Sequence, residues 1–149
     1  MNSNPKDSLD YSDPEVEKFS DGIVLEVMPQ KNDSDSSTKY ILIKHDYYSS
    51  DSDHGRTLLK SIFNSLIKSN FKNLTVYLID KGVLLLDKSN PLNESFTSLV
   101  NNCEIVIADD DSIKEYAVSF TSCDNKLSIQ PFETIAEDIV YLSEFLVLE

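Results

Sequence analysis

Between Tyr40 and Leu146 the chain alternates short apolar runs with amphipathic helical stripes, and this alternation limits its fold more than any other feature. YILIKH (40–45), LTVYLID (74–80), CEIVIA (103–108) and KLSIQ (126–130) have the length and apolar content of buried strands. After the first, RTLLKSIFNSLIKS sets Leu58, Leu59, Ile62, Phe63, Leu66 and Ile67 on one helical face, with Asp53 the expected N-cap. Leu92, Phe96, Leu99 and Val100 mark a second helix behind Asn90-Pro91, and SIKEYAV (112–118) a short third one. Phe132, Ile135, Ala136, Ile139, Leu142, Phe145 and Leu146 line a last helix opened by Pro131. GVLLL, from Gly82, fits either a short strand or a helical turn. Strands separated by helices pair in parallel, because the right-handed crossover lays each helix on the sheet. The expectation is a three-layer α/β/α fold around a mainly parallel sheet of four to five strands.

Residues 1–38 follow a different pattern. They hold nine acids against three lysines, and KNDSDSST (31–38) has no apolar residue, which reads as a linker. GIVLEVM (22–28) suffices for one strand, expected at a sheet edge or against a partner chain, since one strand cannot fold alone. The division expected is an acidic arm over 1–38 and an α/β domain over 39–149.

A formal charge of −13 argues against nucleic acid or an anionic membrane as partner, because both would repel the chain. No apolar run approaches the length of a bilayer-spanning helix. MNSNPKDSLDYSDPEVEK lacks the basic start and apolar core of a signal peptide. Cys103 and Cys123 share no motif spacing, so a reduced, cytoplasmic setting is expected, with no cofactor.

Ligands of open α/β sheets bind beyond the carboxyl ends of the strands, where the strand order reverses. The first strand ends in His45-Asp46 and leads to His54 and Arg56, the second ends in Asp80 before Gly82, and the third runs into Asp109-Asp110-Asp111. Asp46, Arg56, Asp80, Gly82, Asp109, Asp110 and Asp111 are therefore the candidate ligand-binding residues. No GxxxxGK[ST], GxGxxG or GxSxG motif is present. Carboxylates at Asp46, Asp80 and Asp109 could also hold Mg²⁺ or Ca²⁺, as in receiver domains. The lysine such domains carry after a later strand is absent, because the fourth strand ends in Gln130-Pro131. The histidines meet no metal-ligand spacing. Cys123 is a weak nucleophile candidate, since its acidic neighbours disfavour the thiolate. Asp111 is expected to cap the third helix, leaving Asp109 dispensable.

The segments YILIKHD, HGRTLLKSIF, VYLIDKGVLLLDKSNPLNESFTSL and CEIVIADDDSIKEYAV, in this order, resemble the DsrE-like sulfurtransferase family, above all the C-terminal domain of YedF-type proteins linked to selenium and sulfur metabolism. Gly55, Leu58, Leu59, Lys60 and Phe63 match the family's "LGKxLMKxF" helix start, and Gly82, Val83, Leu85 and Leu92 match its Gly-Val turn and following lead. The resemblance implies a parallel α/β fold, self-association or a protein partner, and a sulfur-handling cysteine after the third strand. There the family pattern "VEILVCGTCLDYYGL" meets ADDD, with Ala108 at the first cysteine and Asp110 or Asp111 near the second. A carboxylate cannot form a persulfide. The N-terminal arm is also too short for the Cys-Pro domain of YedF-type proteins and contains no cysteine. The resemblance thus implies a non-catalytic, oligomeric binding or accessory relative of sulfur and selenium trafficking proteins, with Cys123 the sole stand-in for a sulfur carrier.

Overall fold

The computed structural model describes residues 38–149 apart from Asn70, Lys72, Thr121, Ser122, Cys123 and Ser143. The acidic arm, the strand expected at 22–28 and Cys123 lie outside the described residues. Five strands form one all-parallel sheet: β1 Thr38–Ile43, β2 Asn73–Leu78, β3 Ile105–Asp109, β4 Leu127–Gln130 and β5 Phe145–Leu148, in the order β4-β3-β2-β1-β5. The helices are α1 Asp53–Lys68, α2 Asn93–Val100, α3 Asp110–Glu115 and α4 Phe132–Tyr141, and Asp80–Leu86 winds as a 3-10 segment.

The chain steps from β1 through β2 and β3 to β4 in one direction, so right-handed crossovers lay α1, α2 and α3 on one face. That face holds the larger core, in which Leu59, Phe63, Phe96, Leu99 and Ile113 meet Ile41, Ile43, Val76, Leu78, Val106 and Ala108. The return from β4 to β5 runs the other way and puts α4 on the opposite face, where Ile135 packs on Leu42, Tyr77 and Ile107. Tyr77 also donates a hydrogen bond from its hydroxyl to Asp138 of α4 at 2.7 Å, which joins this thinner layer to the sheet.

Two local expectations change and an open one is decided. Phe145 and Leu146 belong to β5 rather than the last helix, because α4 ends at Tyr141 and FLVL pairs with Tyr40–Ile43. A four-residue apolar run has too few turns to show a period, so its side chains fit a helical stripe or a strand equally well. Ser52, not Asp53, caps α1 by accepting from the Gly55 N–H at 3.0 Å. Of the two readings of GVLLL, the helical turn is the one found, within the 3-10 segment, and Gly82 is there for close approach. A Cβ at this position would lie 2.2 Å from the Ile43 carbonyl oxygen.

Candidate functional site

The carboxyl ends of the strands carry nearly all the candidate residues, but the structure gathers them into separate groups. At the end of β1, the Asp46 carboxylate is buried and accepts from Asn90 Nδ2 at 2.9 Å, with Arg56 at 3.6 Å. Arg56 is itself held at 2.9 Å by Asp51, so both charges of the Asp46–Arg56 pair are already engaged. His45 stacks on Tyr47 with ring centroids 4.7 Å apart, and its buried Nδ1 has no partner among the described residues. His54 lies on the exposed start of α1.

The second group is centred on Ser112. Asp109 ends β3 and caps α3: its Oδ2 accepts from the Ser112 N–H at 3.1 Å and from the Ser112 hydroxyl at 2.5 Å. Ser112 Oγ in turn accepts from the Asp80 N–H at 2.8 Å, and the Tyr116 hydroxyl donates to Asp80 Oδ1 at 2.6 Å. That hydrogen bond, with desolvation and the Asp80 charge, pushes the Tyr116 hydroxyl up to about 12. Asp80 sits at φ 49°, a left-handed conformation that Asp tolerates better than most residues. Asp110 pairs with Lys114 at 2.9 Å, and Asp111 is exposed.

The expected cap is therefore corrected: Asp109, not Asp111, closes the N-terminus of α3, because the helix starts two residues earlier than the apolar pattern suggested. Gly82 is corrected as well, being buried behind β1 rather than open to a ligand. Among the described residues, no three His, Cys, Asp or Glu side chains gather as a metal site. Asp46, Asp80 and Asp109 each turn to a different protein donor instead.

A third relationship lies between β3 and β4. Asp109 and Gln130 are register partners, the last in the β3–β4 ladder, so their side chains leave the same face of the sheet. Asp109 Oδ1 and Gln130 Oε1 are both buried, and no donor among the described residues reaches either one. Gln130 spends its Nε2 on Ser128 Oγ at 3.0 Å. Asp109 is only 5% exposed, so its free oxygen is shielded from bulk water. A buried acceptor left without a donor costs about 1–3 kcal/mol. Here two of them sit on neighbouring strands. The chain leaves β3 toward one face through α3 and leaves β4 toward the other through α4. The crevice of an open α/β sheet forms where neighbouring strands part in this way. In sequence, Gln130-Pro131 marks only the place where the receiver-domain lysine is absent. The signal that could have singled it out was its place at the strand end before Pro131, once the strand order was known.

No protein-family model and no curated protein matches the chain. Among solved structures it is similar to a protein of unknown function from Methanobacterium thermoautotrophicum, at TM-score 0.52 and 11% identity over 74% of this chain and 97% of that one. It is also similar to a conserved protein of unknown function from Bacteroides thetaiotaomicron, at TM-score 0.52 and 12% identity over 74% and 95%. At these identities the likeness is one of fold: an α/β architecture.

Proposed function

We propose that this chain is a non-catalytic, DsrE-like binding module that takes a ligand in the crevice between β3 and β4 and acts as an oligomeric or accessory partner of sulfur or selenium trafficking. The observation that carries the binding site is the pair of unfilled, buried acceptors at Asp109 and Gln130, placed where the two connections diverge. The parallel sheet agrees with the fold the sequence resemblance implies. The absence of thiol chemistry is supported at two places. ADDD occupies the family's cysteine position, with Ala108 buried in the core. Cys103 is buried, and that burial, only partly offset by Lys126, pushes its thiol up to about 12.

The binding site is tested by titrating a fragment library into the ¹⁵N-labelled full chain. At least one fragment should move the amides of Asp109, Asp110, Asp111, Ser112 and Gln130 together. Hits confined to other surfaces would contradict the site. The chemistry is tested by incubating the chain with a cysteine desulfurase and cysteine. An unchanged intact mass is expected. A gained sulfur atom that disappears in Cys123→Ser would make the chain a sulfur carrier instead.

A further inference from the structure

Resting on the crevice just described, we infer that its ligand presents a protonated amine or guanidinium group, whose N–H donors complete Asp109 Oδ1 and Gln130 Oε1. Both open positions are acceptors, so an anion or a bare carbonyl group would add a third acceptor to two unmet ones. A donor-bearing cation is the class that offers donors to such acceptors, and a charge-assisted hydrogen bond to a shielded carboxylate is about twice as strong as a neutral one. The electrostatics agree. Asp110 and Asp111 open α3, Glu133 lies in the first turn of α4, and Lys114 is already held by Asp110. Asp109 contributes the charge and Gln130 the second oxygen, so charge and geometry are read by different strands.

One arrangement internal to the protein competes. Turning the Gln130 amide by 180° would present its Nε2 to Asp109 and let the Ser128 hydroxyl donate to Oε1. The two arrangements differ in wild type, since only the first leaves acceptors for a cation to fill. If a cation fills the crevice, a second carboxylate tightens binding. If the amide donates to Asp109, wild type offers butylammonium nothing, and the repulsion between two carboxylates in Gln130→Glu is common to both arrangements.

The experiment titrates n-butylammonium chloride into the full chain, followed by the amides of Asp109–Ser112 and Gln130, with tetramethylammonium and inorganic phosphate as comparisons. Tetramethylammonium carries the charge without a donor. Butylammonium is expected to move these amides and tetramethylammonium is not. Gln130→Glu should tighten butylammonium about tenfold, from one more facing charge. Asp109→Asn, which keeps an oxygen for Ser112 while removing the charge, should weaken it by at least as much. Equal shifts with tetramethylammonium, weaker binding in Gln130→Glu, or no response to butylammonium each overturn the inference. A response to phosphate but not to butylammonium overturns the ligand class and leaves the crevice as a binding site. Silence to every probe and fragment overturns the crevice as well.

Discussion

Asp109 and Gln130 close the β3–β4 ladder side by side, and each keeps a buried oxygen with no donor among the described residues. Elsewhere at this end of the sheet the carboxylates are satisfied: Asp46 by Asn90, Asp80 by Tyr116, and the second oxygen of Asp109 by Ser112. The unfilled pair is thus local, and it coincides with the point where α3 and α4 diverge to opposite faces. Local cost at a site that a ligand would repay is a known trade between stability and function.

Capping separates the three aspartates. Asp109 closes α3, whereas Asp111 is exposed. Asp109→Ala, which loses the cap, is expected to be less stable in urea denaturation than Asp109→Asn, which keeps an oxygen for Ser112, by at least about 1 kcal/mol, the usual worth of a side-chain cap. Asp111→Ala should leave the midpoint where it is. Equal losses at both positions would contradict the assignment.

Gly82 is fixed by the space behind it. An added methyl group would collide with the Ile43 backbone, which cannot move without disturbing β1. Gly82→Ala should therefore destabilise by about 1–3 kcal/mol, the range for overpacking a tight interior. A wild-type denaturation midpoint would show that the 3-10 segment shifts freely.

Tyr116 should titrate late. Its hydroxyl is raised from the ordinary 10.0 to about 12, so the Asp80 bond contributes stability that is complete below pH 10 and is lost as pH rises through 12. In an ultraviolet titration, Asp80→Asn should bring one tyrosine step down toward 10 while Asn still accommodates the left-handed backbone. An unchanged titration in the variant would show that the Asp80 bond does not set it.

Much of this architecture was legible in the sequence, for a physical reason. Strands buried on both faces are apolar throughout, as in TVYL and IVIA, and amphipathic stripes such as Leu59, Phe63 and Leu66 repeat over enough turns to fix a helix. Phe145 and Leu146 read as a continuation of the last helix because four apolar residues after a helix carry no period. The loss mattered, since β5 is the strand that sends α4 to the far face. The site was half legible. Strand-end carboxylates show themselves as abrupt changes from apolar to acidic, so Asp46, Asp80 and Asp109 were found. What they do depends on partners distant in sequence: Asn90 for Asp46, Tyr116 for Asp80, Gln130 beside Asp109. Only the strand order brings those together.

The most direct test is the thermal midpoint of Asp109→Asn beside wild type, each with and without n-butylammonium chloride. The substitution supplies an N–H where the free oxygen stood, so it should raise the unliganded midpoint by the worth of one hydrogen bond, about 1 kcal/mol. Wild type should rise when the cation is added, because a ligand bound to the native state stabilises it, and the variant should not. A variant that melts below wild type, with both proteins responding equally to the cation, would show that the crevice has no donor to receive.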